Sequence, residues 1–232
     1  MRTRLENANV VAAVGAAALA ASASAAGLAS EEAATPVPIA ELTFTDAGLA
    51  ACVEKHADKH GWSTADDVAE LTCHNAGIAS LDGLEALPRL KRASFFRNRV
   101  KRFSAASLPL IEHLNIAQNQ LESFSLEQAP ALKELYLFRN ELTEFAASAM
   151  PMLTKLRISE NQLAAVELAN LPRLSRAYLH DNALEDIDLS VGLPALKFVD
   201  LRINPLPDPV YDVLDAMTGV TIPHDGNAED WE

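Results

Sequence analysis

From residue 68 to residue 206 apolar and polar positions alternate in a pattern that returns at a fixed interval. Leu132, Leu135, Leu137 and Leu142 surround Asn140, and Leu153, Leu156, Ile158 and Leu163 surround Asn161 in the same order. The frame recurs as Leu90, Ala93, Phe95, Asn98, Val100 and as Ile111, Leu114, Ile116, Asn119, Leu121. It returns as Leu174, Ala177, Leu179, Asn182, Leu184 and as Leu196, Val199, Leu201, Asn204, Leu206. An earlier copy, Val68, Leu71, Cys73, Ala76, Ile78, carries Ala where Asn belongs, which makes seven units. The asparagines Asn98, Asn119, Asn140, Asn161, Asn182 and Asn204 are spaced 21, 21, 21, 21 and 22 residues apart. Alternating apolar residues such as Leu135 and Leu137 predict a short strand with period two, one side facing a core. A supersecondary unit this short cannot bury its apolar face alone, so the units must stack. Stacking places the strands side by side in a parallel sheet, about 4.8 Å apart. The asparagines then turn inward where each strand ends and bond the backbone of adjacent turns, a scaffold role.

Other positions keep the same period. Phe103, Phe124, Phe145, Val166 and Ile187 fall five residues after their asparagine, and Pro109, Pro130, Pro151, Pro172 and Pro194 close each unit. The pattern resembles the leucine-rich repeat family, in its short 21- and 22-residue bacterial, internalin-like class. The resemblance implies an α/β repeat solenoid, an arc with a parallel β-sheet on its concave face. It also implies a recognition module rather than an enzyme.

A stack of repeats exposes apolar edges at both ends and needs caps. Ahead of the first strand, Leu49, Cys52, Val53 and His56 share a helical face, with Asp46 as N-cap and Gly61 as stop. Cys73 holds an inward position on the first strand, so a Cys52–Cys73 bridge would pin the capping helix to the first repeat. Two buried free thiols are the alternative. After Leu206, Pro207-Asp208-Pro209 opens a helix through Met217 with Val210, Val213, Leu214 and Met217 on it, ended by Gly219 and followed by an edge strand at Val220-Thr221-Ile222. The expected organisation is a signal peptide at 1–26, a linker at 27–42, an N-terminal cap at 43–67, repeats at 68–206, a C-terminal cap at 207–224 and an acidic tail at 225–232.

The leader reading rests on Arg2 and Arg4, then no charge between Glu6 and Glu31, and ten alanines among the fifteen residues from Ala12 to Ala26. Ala21-Ser22-Ala23 and Ala23-Ser24-Ala25 offer cleavage sites. This is the form of a secretory signal peptide, and it implies a secreted or periplasmic protein. A retained alanine-rich leader on a cytosolic regulatory scaffold is the other reading. No later stretch approaches the roughly 20 apolar residues of a membrane span, so no membrane insertion is expected after processing.

Charge and chemistry narrow the function. With 19 Lys and Arg against 32 Asp and Glu, the formal charge is −13, which argues against nucleic acid as a partner. His56 and His60 have a zinc-compatible spacing, but two imidazoles fill half of a tetrahedral site, so they read as a solvated helix face with no metal. No nucleophile elbow, phosphate loop or dinucleotide fingerprint is present, so no cofactor is expected. The strand residues between the inward ones run in columns: Arg92, His113, Glu134, Lys155, Arg176, Phe198; then Ser94, Asn115, Tyr136, Arg157, Tyr178, Asp200. Beyond them come Phe96, Ala117, Phe138, Ser159, His180, Arg202 and Arg97, Gln118, Arg139, Glu160, Asp181, Ile203. All of these are expected to face the concave surface. With the first unit and the column of Lys91, Glu112, Lys133 and Lys197, that face holds ten Lys and Arg against six acids. The rest of the chain is strongly acidic. Phe96, Arg97, Tyr136, Phe138, Arg139, Arg157, Arg176, Tyr178 and His180 are therefore the candidate partner-binding residues of a monomeric module. Tyr and Arg are enriched at interface hot spots, and the basic surround suits a protein with an acidic surface. An anionic glycan held by Arg97, Arg139, Arg157 and Lys155 is the alternative ligand.

Overall fold

A computed structural model describes residues 35–147, 150–168 and 170–226. The leader expected at 1–26 and the tail from 227 on lie outside the described residues. Seven short strands, one per unit, form a single parallel sheet: β1 (Glu70–Thr72), β2 (Arg92–Ser94), β4 (His113–Asn115), β6 (Glu134–Tyr136), β8 (Lys155–Arg157), β10 (Arg176–Tyr178) and β11 (Phe198–Asp200). Their register aligns Glu70, Arg92, His113, Glu134, Lys155, Arg176 and Phe198 in one column, as the sequence frame predicts. The central residue of each strand points inward: Leu71, Ala93, Leu114, Leu135, Leu156, Ala177 and Val199 are all buried. The fold is thus a leucine-rich repeat solenoid with one continuous apolar core.

Each ladder asparagine satisfies several backbone groups at once. Asn140 Nδ2 donates to the carbonyls of Ile116 (3.1 Å) and Leu137 (2.8 Å), and its Oδ1 accepts from the N–H groups of Asn119 (3.1 Å) and Leu121 (3.0 Å). Asn161, Asn182 and Asn204 each donate to the preceding unit and accept an N–H from it in the same way. Asn119 donates to Phe95 and accepts from Val100. In the first unit, where Ala76 stands in the asparagine position, Asn98 reaches back to accept from Ala76 and Ile78 and donate to Cys73.

The residue before each of these positions is left-handed. Asn75, Arg97, Gln118, Arg139, Glu160, Asp181 and Ile203 have φ between 50° and 58°. For non-glycine residues this costs about 1–2 kcal/mol apiece, and each is held there by a bond to the next unit. Gln118 N–H reaches the Phe138 carbonyl (2.9 Å) and Glu160 N–H the His180 carbonyl (2.9 Å). Ile203 has no following unit, and the Asp225 carboxylate accepts its N–H instead at 2.8 Å.

The opposite side carries short strands that the apolar pattern did not announce. β3 (Arg102–Ser107) pairs with β5 (Ser123–Gln128), and β7 (Glu144–Ala146) with β9 (Ala165–Glu167). The five-after-asparagine column packs there as a ring stack, Phe103 on Phe124 at 5.3 Å and Phe124 on Phe145 at 6.0 Å.

Both caps form, with three corrections. α1 (Ala47–His60) buries Leu49, Val53 and Ala57, and it ends at Gly61, which is left-handed. Asp46 caps it through a 3.0 Å bond from Leu49 N–H and also takes the N–H groups of Ala79 and Ser80, so one carboxylate ties the helix to the first repeat. Cys52 and Cys73 are joined by a disulfide with 5.9 Å between their Cα atoms. The first correction is at the expected linker. From Val37 on, the chain packs on the cap, with Ala65 N–H on the Val37 carbonyl (2.8 Å), Ile39 N–H on that of Ser63 (2.9 Å), and Ile39, Leu42 and Phe44 against the core. These apolar residues cover the end of the stack. The second is α2 (Asp208–Asp215), which ends two residues before the expected Met217 and turns Leu214 to the core while Val213 is 64% exposed. A helix this short turns only one narrow face to the repeats. The third is Asp225, expected in the acidic tail, whose carboxylate instead closes the stack by accepting the Ile203 N–H. The edge strand does form in part: Thr221 bridges to Phe198 in parallel.

Two predictions test this architecture. Asn140→Leu strands four backbone groups and should lower unfolding free energy by at least about 2 kcal/mol, whereas Gln118→Ala on the surface should change it by less than about 0.5 kcal/mol. Equal losses in urea titrations would contradict the ladder. For Asp46, burial opposes ionisation, but bonds from Ala79, Leu49, Ser80 and Gly48 outweigh it and hold the carboxyl below its ordinary value of 3.8. Its stabilisation is therefore complete above that value and lost as pH falls through the lower folded one. Asp46→Asn should cost about 1 kcal/mol at pH 7, with the gap to wild type closing below about pH 4. A gap independent of pH would show that the charge does not hold the cap.

Candidate functional site

The sheet face is built by the residues that alternate with the buried ones. Its ladder runs past the strand ends, since Ile116, Leu137, Ile158 and Leu179 N–H groups bond the Tyr136, Arg157, Tyr178 and Asp200 carbonyls at 2.8–3.0 Å. The Phe96-to-Arg202 column therefore stays in register with the strands.

Side-chain size decides what on this face is open. Phe96 and Phe138, two strands apart, approach to 6.3 Å between ring centroids, with Ala117 on the strand between them. Ala117 and Ser159 are fully buried, and Asp200 is 3% exposed. These three were expected on the open surface. A small residue between two large ones is roofed by them, and Asp200 lies beneath Arg202 and His180.

The acids of the face are largely consumed. Glu112 pairs with Lys133 (2.7 Å), Glu134 with His113 (3.0 Å), Glu160 with Arg139, and Glu70 more loosely with Arg92 (3.9 Å). Asp200 holds Arg202 through two bonds, 2.9 and 2.7 Å, and lies 3.2 Å from His180 Nδ1 in a contact outside hydrogen-bond alignment. Burial pushes the Asp200 carboxyl up, but Arg202 and His180 overcome it and hold it far below the usual carboxylate range. The Tyr136 hydroxyl donates to Glu134 (2.9 Å), and burial together with that carboxylate pushes the phenol up.

Of the six cations of this face that enter no ion pair among the described residues, Lys91, Arg97 and Lys197 lie on other units, while the remaining three cluster on β8 and β10. Among the described residues Lys155, Arg157 and Arg176 enter no ion pair within the 4.0 Å that defines one. Lys155 Nζ stands over the Tyr136 ring at 5.2 Å and the Tyr178 ring at 5.9 Å. The Arg157 guanidinium lies over Phe138 at 4.2 Å, and its buried Nε has no hydrogen-bond partner among the described residues. Of the nine candidate residues, Tyr136, Phe138, Arg157, Arg176 and Tyr178 thus share neighbouring positions. Phe96 joins them by its ring contact with Phe138 and carries Arg97 over its face at 5.2 Å. Arg139 and His180 are committed to Glu160 and Asp200. Lys155 was read only as a glycan ligand, although its column position between two tyrosine-bearing strands signalled the contact.

Ser159 and His180, just past β8 and β10, and Asp200 on β11 belong to three successive units and are the residue types of a nucleophilic triad. Ser159 has no exposed surface and its hydroxyl bonds nothing among the described residues, so this arrangement presents no nucleophile. On the cap, His56 is not simply solvated. Its Nε2 lies 2.9 Å from the Thr72 carbonyl, and His56, His60 and Trp62 stack at 5.1–6.0 Å. Among the described residues no group of three or more His, Cys, Asp or Glu could hold a metal ion.

Comparison with solved structures places the fold. An internalin (InlF) of Listeria monocytogenes superposes with a TM-score of 0.51 at 22% identity, covering 83% of this chain and 66% of its own. Internalin C2 of the same organism gives 0.52 at 23% identity, covering 82% of this chain and 98% of its own. This chain therefore spans just under two thirds of the first. The fold is that of internalin-type leucine-rich repeat proteins. No family model and no curated protein matches the sequence.

Proposed function

We propose that the chain is an exported recognition module whose sheet face captures a protein with an acidic surface. The observation that carries this reading is the basic and aromatic centre formed by Lys155, Arg157 and Arg176 with Tyr136, Phe138 and Tyr178. It lies in a chain whose formal charge is −13. A parallel ladder fixes the backbone under these side chains, so little ordering entropy opposes binding. Rigid aromatic rings supply contact area, and the cations select the sign of the partner. The Cys52–Cys73 bridge supports the export part, because disulfides persist in oxidising compartments. The leader pattern supports it independently. Among the described residues no helix is long and apolar enough to cross a membrane.

An anionic glycan is the second reading, favoured by the adjacency of three unpaired cations. The two differ in what they ask of the rings.

Two measurements test the proposal. Immobilised protein should capture a partner from the extracellular or periplasmic extract of its own source. Arg176→Glu, at an exposed position that enters no ion pair among the described residues, should abolish capture with an unchanged melting temperature, and intact capture would refute the sheet-face reading. Loss with Tyr136→Ala marks a protein partner, whereas indifference to it and steep loss with salt mark a glycan. Intact mass spectrometry of natively expressed protein should give a chain starting between Ala23 and Gly27, with both cysteines protected until reduction. Full length with two alkylatable thiols would replace export by the cytosolic scaffold.

A further inference from the structure

On β8 and β10 the chain does something that strand pairing disfavours. Lys155 and Arg176 are direct register partners, two cations facing across adjacent parallel strands. Like charges opposite one another destabilise a sheet. Elsewhere in the column each base has an acid on one side: Glu70 faces Arg92, and His113, next to Arg92, faces Glu134, which also faces Lys155. Arg157 follows two residues along β8 on the same face and opposite Tyr178. Glu134, on the other side of Lys155, relieves the repulsion only in part because His113 and Tyr136 share its carboxylate, and Glu160 is engaged by Arg139.

Arg157 adds a second, independent observation. Its guanidinium packs over Phe138 at 4.2 Å, while its Nε–H is buried and bonds nothing among the described residues. A buried unpaired donor on a charged group is among the more costly polar defects a fold can carry. An acceptor brought by a ligand would satisfy it. Three cations, one of them missing an acceptor, are the complement of an oxyanion.

We propose that Lys155, Arg157 and Arg176 form a seat for paired carboxylates, occupied by adjacent Asp or Glu side chains of the partner. This rests on the sheet-face reading above and deepens it by naming the anchor. Carboxylates match the planar fork of an arginine, and two of them offset two of the three positive charges, Glu134 beside Lys155 contributing against the third. The flanking Tyr136 and Tyr178 rings leave apolar walls for the methylene groups that carry those carboxylates. Hexaglutamate is the simplest probe with this chemistry.

Fluorescein-labelled hexaglutamate, titrated by anisotropy at about 150 mM salt, where screening leaves only close charges effective, reads the seat directly. Wild type should bind it, and Arg157→Gln with Arg176→Gln should weaken binding at least about tenfold. Lys91→Gln with Lys197→Gln, which removes the same charge from the same face, should weaken it less than about threefold. Arg176→Gln alone, at an exposed position, keeps the comparison valid if the Arg157 variant unfolds. The Arg157 Nε–H resonance should move on adding hexaglutamate to the wild-type protein. Equal losses from both pairs, or no binding, would overturn the seat. Binding of a sulfated heparin tetrasaccharide but not hexaglutamate would overturn the carboxylate assignment. If Phe138→Ala abolishes partner capture while Arg157→Gln with Arg176→Gln leaves it intact, the face binds but the seat is not its anchor. If neither affects capture, the sheet-face reading itself falls.

Discussion

At the end of every strand in the stack the chain must turn, and the turn leaves carbonyl and N–H groups that no neighbouring strand can reach. A buried asparagine resolves this because its amide donates and accepts from one side chain. Asn140 does so for two units simultaneously, bonding Ile116 and Asn119 of the unit before it as well as Leu137 of its own. That requirement dictates the rest. It fixes the interval between units, forces the preceding residue into left-handed backbone, and makes each unit depend on its neighbour. At the start the ordinary ladder bond from Asn98 suffices even though Ala76 replaces an asparagine, and at the finish the Asp225 carboxylate takes the Ile203 N–H. Capping here is the satisfaction of backbone groups as well as the covering of apolar surface.

Because the scaffold is determined from within, the outward columns are free to differ from unit to unit, and they do. Their differences are organised, however. In units one to four acids stand beside bases, as in Glu70–Arg92, Glu112–Lys133 and His113–Glu134, whereas Lys155, Arg157 and Arg176 in units five and six enter no ion pair among the described residues. On the proposed reading, the place where the sheet departs from electrostatic self-satisfaction is the place that meets a partner. Ile203 is a second departure: it is 63% exposed, β-branched and left-handed, at a position where the other units carry polar residues. Nothing in the structure explains that choice.

The repeat frame, the strand register, the asparagine ladder, the Asp46 cap, the Gly61 stop and the Cys52–Cys73 pairing were all legible in the sequence, because each depends on local spacing or on a residue type with one physical use. What was not legible depends on neighbours in three dimensions. Ala117 and Ser159 look exposed by alternation and are buried only because Phe96, Phe138 and His180 stand on adjacent strands. The back strands β3, β5, β7 and β9 do alternate, as in Phe103 and Ala105 or Phe124 and Leu126, but over runs of only three to six residues that merge into the repeat frame. Val37 to Phe44 lie in and beside a stretch with linker composition, yet their apolar side chains are what the open end of the stack requires. The candidate face was readable as a set of columns. Which of its charges were already spent was not, because ion pairs such as Arg139–Glu160 join residues 21 positions apart.

The electrostatic setting constrains how such a face could work. An acidic partner approaching a chain of net charge −13 is repelled at long range, and a local basic centre cannot reverse that beyond about 8 Å at physiological ionic strength. Steering over long distances is therefore a poor account of any affinity here. Recognition must come from contact, where unpaired cations and fixed rings act together and screening ions are displaced. The acidic remainder of the molecule then serves discrimination: it raises the penalty for every anionic surface that does not fit the centre. A partner that binds must present its carboxylates on a protruding or narrow element, so that they reach β8 and β10 while the rest of its charge stays more than a screening length from Glu112, Glu134 and Glu160.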